Sequence, residues 1–383
     1  QLGELLGAAT EREHRLLWGI LSGELRQGAL AGVMTTAVAK AAGVQVGAVR
    51  RAAMMAGDLG VAASAALSGG AAALAEVVLQ PLRPVQPMLA SPGGSVPDAM
   101  AGDAPLHIDW KLEGVRVQSH RRGDDVALIT RNLNEVTGRL PGVVELVRSM
   151  PGGDLVLDGE VMGLMDDGRP RRFQDTMGDF GADRDEAVAL GAGRGDGLAA
   201  FYFDVLHVAG VRAHDEPLSL RRELLAQHVP ESSRRPSIVT TDGAEAEAFL
   251  DRAIAAGHEG IMVKNLTQPY EAGRRGKSWR KVKPVHTLDL VVLAIEWGHG
   301  RRRGRLSNIH LGARADAATD TEFVMVGKTF KGMTDEMLRW QTERFRELAV
   351  DDDGRQVSLR PEQVVEVAVD GIQRSSKYPG GVA

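Results

Sequence analysis

The spacing of apolar residues changes along this chain, and that change limits the fold more than any other feature of the sequence. Up to about residue 80 the apolar residues recur at helical intervals. HRLLWGILSGELRQGALAGVMTTAVAKAAG runs to a stop at Gly43, and VGAVRRAAMMAGDLGVAASAAL makes a second helical block. Within these, AKAAGVQVGAVRR has the form of a helix-turn-helix with Gly43 in the turn, although plain bundle packing explains it as well. Prolines at 81, 84, 87, 92 and 97 then break any regular element, so this stretch reads as a linker or an irregular crossing. From Leu106 to about Pro284 the period falls to two in HIDWKLEGVRVQSHR, DVALITRN, DLVLDGEVMGL, LAAFYFDVLHV and EGIMVKN, with a helix predicted in AEAEAFLDRAIAAG. No strict strand–helix alternation and no glycine-rich phosphate loop is present, which implies an α+β domain with mostly antiparallel sheets.

After Pro284 a third pattern begins. LDLVVLAIEWG, LSNIHLGARA, EFVMVGKTF, QVSLRPEQ and VVEVAVDGIQ read as five strands, with a helix, DEMLRWQTERFRELAV, between the third and the fourth. That order suits an OB-fold barrel, a common nucleic-acid platform. The expected organisation is therefore a multidomain chain. An all-α domain covers 1–83, an α+β domain with antiparallel sheets covers 84–285, and an all-β OB-fold domain covers 286–383. The first reads as incomplete at its amino end and the last at its carboxyl end. A length of 383 residues fits two or three such cores. No apolar run approaches the ~20 residues that cross a bilayer, QLGELLGAATEREH has no signal-peptide pattern, and a cytoplasmic location is expected. The absence of cysteine excludes disulfides and thiolate zinc sites.

A net charge of −5 does not announce a nucleic-acid partner, but the charge is uneven. Arg274, Arg275, Lys277, Arg280, Lys281, Lys283, Arg301, Arg302, Arg303 and Arg305 are opposed between Gly273 and Leu306 only by Asp289 and Glu296. These cations interleave with apolar strands, unlike an ordinary solvated charge run. Five segments combine charge with strand-like flanks: WKLEGVR (110–116), TRN (130–132), LDGEV (157–161), HEGIMVK (258–264) and WRKVK (279–283). Glu160 and Glu259 stand on apolar strands, where a carboxylate is costly unless paired or bound to metal. Two such acids could share a magnesium ion with substrate phosphates. Period two puts Lys281 and Lys283 on one face, where they repel unless an anion lies between them. Singly, each segment is ordinary, since a strand lysine is usually solvated or salt-bridged. Jointly they supply what a nucleoside triphosphate site needs, including a lysine nucleophile. A lysine amine attacks phosphorus only when neutral, and nearby cations favour that form.

The set and order of these segments resemble the ATP-dependent DNA ligases of the covalent nucleotidyltransferase superfamily, in their bacterial and archaeal form with a helical amino-terminal DNA-binding domain. The resemblance spans essentially the whole chain. GELRQGAL (23–30) and AKAAGV (39–44) resemble the helical domain, RPVQPMLA (83–90) the entry to the adenylation domain, and EWGHGRRRGRLSNIHLGAR (296–314) and KTFKGMTDEML (328–338) the OB domain. It implies that Lys111 takes AMP from ATP as a phosphoramidate. It places Asp109 beside adenine, where the family usually has glutamate, and Arg116 and Arg131 on phosphate and ribose. Glu160 and Glu259 would place magnesium or manganese and the ribose. Phe203 would stack on adenine with Met262 on its other side, and Lys281 and Lys283 would meet the α-phosphate. The implied partner is nicked duplex DNA, held without sequence preference through Arg26 and Gln27 of the helical domain and Arg301, Arg302 and Arg303 of the OB domain. Action as a nucleoid-associated monomer is expected, and a sliding-clamp partner would leave no readable signal.

Two departures from the family pattern are visible. Glu113 stands where the family has aspartate, and an arginine- and lysine-containing motif expected after SSKYPGGVA is not in the sequence. They motivate an alternative, an impaired or non-catalytic nick-binding protein of the same fold. An RNA ligase or capping-type nucleotidyltransferase is less consistent with the long helical segment.

Overall fold

The computed structural model describes residues 2–22, 31–172, 174–176, 197–271, 275–315, 322–369 and 371–383. The chain divides into two compact units, Gln1–Val282 and Lys283–Ala383.

The first unit opens with helices α1 (Leu2–Ala8), α2 (Glu11–Leu21), α3 (Ala31–Ala42), α4 (Val46–Ala56) and α5 (Leu59–Ala75). The last three share a core of Ala39, Val49, Ala52, Ala53, Ala62, Ala66 and Leu74. Its small side chains let the helices approach closely. Gly43 ends α3 as its sequence implies, with φ +65° and the Val44 N–H bonded back to the Ala39 carbonyl at 3.0 Å. The turn of AKAAGVQVGAVRR is therefore present, and Ala39 and Val49 on its inner side belong to the bundle core. The second predicted block is two helices. Gly57 (φ +67°) closes α4, and the Asp58 carboxylate caps α5 by accepting from the Gly60 N–H. Arg26 and Gln27 lie outside the described residues.

The proline-rich stretch is an irregular crossing built into the core. Val85 and Met88 are fully buried with Leu79 beside them. The Gln118 side chain binds the Val85 backbone on both its N–H and its carbonyl, and the Gln86 N–H reaches the Met54 carbonyl of α4 at 3.2 Å. Pro81, Pro84 and Pro87 lie outside any strand, and the Gln118 side chain and the Met54 carbonyl satisfy the neighbouring backbone instead.

Two sheets follow. The first joins β1 (Leu89–Pro92), β2 (Leu106–Lys111), β7 (Ser237–Thr240), β8 (Gly260–Asn265) and β9 (Arg275–Val282) in the order β1-β9-β8-β2-β7. The second joins β3 (Val115–Arg122), β4 (Asp125–Thr130), β5 (Leu155–Gly163) and β6 (Leu198–Val208) in the order β4-β3-β5-β6. Every pair is antiparallel except β1 with β9. The accompanying helices are α6 (Val96–Ala99), α7 (Pro141–Ser149), α8 (Leu218–His228) and α9 (Gly243–Ala255). The mixed α/β architecture with antiparallel sheets is the one expected from the period-two pattern. Alternation sorts the first sheet. Ile108, Ile261, Val263 and Val282 face α9 through Phe249 and Ala253, which leaves Asp109, Lys111, Met262, Lys264 and Lys281 for the opposite face.

In the second unit β10 (His286–Trp297), β11 (Leu306–Arg314), β12 (Phe323–Thr329), α10 (Asp335–Glu347), β13 (Ala349–Asp352), β14 (Gln356–Leu359) and β15 (Val364–Val369) form one antiparallel sheet around Ile295, Ile309, Phe345 and Val357. The helix lies where it was expected. Six strands are described where five were expected, because Ala349–Val350 begin β13 and do not continue α10. β10 is long enough to pair with β15 along its first half and with β11 and β14 along its second. On the face away from this core Glu296 accepts from Asn308 (2.7 Å), His310 (3.0 Å) and Lys328 (2.5 Å). Partial burial raises its pKa, but these bonds outweigh that and hold it down at about 2 against an ordinary value of 4.5. A carboxylate with a depressed folded pKa gives stability that is present above its unfolded pKa and lost as pH falls toward the folded one. Chemical denaturation of the protein should therefore show a Glu296-dependent loss of stability between about pH 4.5 and 2. Glu296→Gln should flatten that segment of the profile, and an unchanged slope would rule the network out as its source.

Candidate active site

Between the two sheets of the first unit lies a cavity of about 770 Å³, within the usual range for a small-molecule site. Its wall includes Lys111 at the end of β2, Arg116 on β3, Arg131 after β4, Glu160 on β5, Phe203 on β6, Met262 on β8 and Lys281 on β9. The structure thus gathers seven of the predicted nucleotide-site residues around one space. Asp109, Glu113 and Glu259 are not wall residues, and Lys283 is the first residue of the second unit.

Register explains the convergence. Asp109 pairs with Met262, and Met262 with Lys281, in one row across β2, β8 and β9. In the other sheet Arg116 pairs with Glu160. Phe203 reaches the cavity through a β-bulge: Asp158 pairs with Asp204 and Gly159 with Tyr202, so Phe203 is the extra residue between them. The turn after Lys111 must cross β5 closely. A Cβ on Gly114 would collide with the Val161 carbonyl and stand 3.0 Å from Met162 Cβ and 3.1 Å from Glu160 Cγ. Glycine is thus needed at 114 for the approach of the chain to β5.

The charged groups are mutually committed. Lys111 Nζ is ion-paired with Glu259 Oε2, and the Glu259 N–H donates to the Lys111 carbonyl at 3.1 Å. Arg116 grips Asp158 with two bonds, Nε to Oδ1 at 3.0 Å and Nη2 to Oδ2 at 2.7 Å, and donates to the Met88 carbonyl at 2.7 Å. Burial pushes the pKa of Glu160 up, against the pull of Arg235, whose Nη2 lies 3.2 Å from Glu160 Oε2. Burial also opposes ionisation of Asp109, but Lys264, whose ammonium donates to it at 2.6 Å, and Arg235 hold its pKa low.

Lys264 and Arg235 are wall residues that the sequence reading did not select. Arg235 lies 3.9 Å from the Phe203 ring centroid and Lys264 4.8 Å. Lys264 had a signal, since period two puts it on the face of Met262 inside a segment already singled out. Arg235 follows the short 3₁₀ turn Glu231–Ser233 in an irregular stretch, and no local pattern marks it.

Residues 87–283 match the family model described as "ATP dependent DNA ligase domain". Along its full length the chain is 55% identical to a "Probable DNA ligase" of Anaeromyxobacter sp. (strain Fw109-5), covering 73% of that relative. The chain belongs to the ATP-dependent DNA ligases. A "Probable DNA ligase" of Mycobacterium marinum (strain ATCC BAA-535 / M) is 56% identical over 99% of this chain and 74% of its own length. The solved structure titled "Pmar-Lig_Pre." shares the ligase's fold at a TM-score of 0.54 and 21% identity, covering 82% of this chain and 68% of that one. The ligase joins DNA at the expense of ATP, as its family does. Among the described residues no helix is long and apolar enough to cross a membrane.

Proposed function

We propose that Lys111 is the nucleophile of a three-step nick-sealing reaction. Its neutral amine attacks the α-phosphorus of ATP, the bond to the β-phosphate oxygen breaks, and pyrophosphate leaves as the amine gives up its proton. A 5′-phosphate oxygen at the nick then attacks the same phosphorus and releases Lys111. Finally the 3′-hydroxyl attacks the 5′-phosphorus, forms the phosphodiester and expels AMP. The observation that carries this reading is the position of Lys111 on a cavity wall with Arg116, Arg131 and Lys281, cations suited to phosphate oxygens. Phe203 and Met262 line the same cavity and suit a base. Asp109 acts from behind the wall, where it holds Lys264. Glu113, half-buried in the turn after β2, serves as a catalytic acid beside Lys111 in place of the family's aspartate.

Glu160 and Glu259 would hold magnesium or manganese, which would neutralise phosphate charge. The donor set fits such an ion. Both are carboxylate oxygen donors of the kind a hard divalent cation takes, and phosphate oxygens and water would complete the shell.

For DNA we propose contacts from the helical segment, as a DNA-binding domain of its own, and from the second unit, as an OB-fold domain. One chain carries every group named, which supports action as a monomer. Arg301 and Arg303 are exposed, whereas Arg302 Nη1 donates to Ser307 Oγ at 3.0 Å and to the Phe330 carbonyl at 2.8 Å. Replacing Arg301 and Arg303 together with alanine should reduce the slope of log affinity for nicked DNA against log salt by about 2. Arg302→Ala should leave that slope nearly unchanged and lower thermal stability instead. Equal slopes for wild type and the double variant would remove these residues from the interface. A nick-sealing assay with α-labelled ATP tests the whole reading.

A further inference from the structure

Tyr270 lies outside every segment that marks the nucleotide site, and it is not a wall residue of the cavity. It is 3% exposed, yet its hydroxyl is the meeting point of three groups that are built into that wall or next to it. It donates to Asp158 Oδ2 at 2.6 Å. It accepts from Arg116 Nη2 at 3.2 Å and from the Met88 N–H at 2.9 Å. One donor and two lone pairs are all a phenol has, so the hydroxyl is fully used. Burial and the Asp158 carboxylate push its pKa well above the ordinary value, so it remains a donor.

The geometry around it is a closed circuit. Arg116 Nη1 donates to the Met88 carbonyl at 2.7 Å, while the Met88 N–H goes to Tyr270. Both backbone groups of Met88 are thus fixed by the same two side chains. The next two residues, Leu89 and Ala90, are cavity wall. The ring of Tyr270 packs edge-on against Trp279, with centroids 5.7 Å apart, and Trp279 also lines the cavity.

We propose that Tyr270 is a positioning residue for ATP. Its hydroxyl sets the Arg116 guanidinium and the Leu89–Ala90 wall in one arrangement, and it touches no substrate itself. Without that oxygen the Met88 N–H and one Arg116 N–H lose their buried acceptor, and Asp158 loses a donor. Arg116 keeps its two bonds to Asp158 but is free to tilt about them, and the crossing segment loses one of its two ties to Arg116. A displacement of this kind weakens ATP binding before it affects later steps.

This inference rests on the reading of Arg116 as a nucleotide-binding residue, and the test separates the two. AMP loading of the full chain is measured against ATP concentration for wild type, Tyr270→Phe, Arg116→Lys and the double variant, with melting temperatures for all four. We expect Tyr270→Phe to raise KM for ATP about tenfold with a smaller change in kcat, and Arg116→Lys to raise it as well. The double variant should match Arg116→Lys alone, because Tyr270 acts through Arg116. A Tyr270→Phe protein with a lowered melting temperature and an unchanged KM would overturn the proposal and leave the Arg116 reading in place. Fully additive effects in the double variant would also overturn it. An Arg116→Lys protein with wild-type KM would overturn the nucleotide reading and this inference together.

Discussion

Replacing Lys111 with alanine should abolish transfer of AMP to the protein and leave the fold intact. Lys111 is the one lysine of the chain in a KxxGxR setting, and it stands where a strand ends at a wall shared with three other predicted phosphate ligands. Lys264, a second lysine on that wall, is not an equivalent nucleophile. It is 1% exposed and tied to Asp109 at 2.6 Å. The structural cost of the change is small, because the lost ion pair with Glu259 is partly exposed, at 21% and 27% for the two side chains. Pairs of this kind are worth about 0–1 kcal/mol. Intact mass after incubation with ATP and magnesium checks it: the wild type gains one AMP and the variant none. An adduct on the variant would place the nucleophile elsewhere.

Glu259→Gln should slow AMP loading on the order of 10²-fold. Glu259 holds Lys111 twice, through its side-chain ion pair and through its N–H on the Lys111 carbonyl. Glutamine keeps the backbone bond and the side-chain length but loses the charge that orients the amine. Misplacement of a reacting group by about 1 Å can cost ~10²-fold in rate. If the metal reading of Glu259 is right, the loss deepens as magnesium is lowered. Single-turnover loading rates decide. An equal or faster rate would make the pair incidental to loading.

The parts of the fold that a short window determines were legible. Gly43 and its φ of +65° follow from a helical pattern ending at glycine. The strands β2 to β6 and β8 follow from period two, whereas the short β7 (Ser237–Thr240) was not marked by it, and the pairing of Met262 with Lys281 is a cross-strand register that alternation within one strand does not give. What escaped depends on partners distant in sequence. The proline-rich stretch left a linker and an irregular crossing both open, because nothing local reveals that Gln118 and Met54 would satisfy its backbone and bury it. Ala349–Val350 looked like the end of a helix because their pairing partner, β14, lies beyond a turn. At the site, Lys111 and Arg116 were legible as a motif, while Arg235 and Tyr270 act through contacts with Glu160 and Arg116 that lie 75 and 154 residues away along the chain. The bulge that turns Phe203 into the cavity has no signature in FYFDVL.

The most direct test of the account is a chase. The protein is loaded with ATP labelled at the α-phosphate, freed of nucleotide and given nicked duplex DNA with magnesium but no ATP. The account predicts that label leaves Lys111, that one nick is sealed per AMP carried, and that labelled AMP appears in solution. Label that stays on the protein, or sealing that begins only when fresh ATP is added, would contradict it.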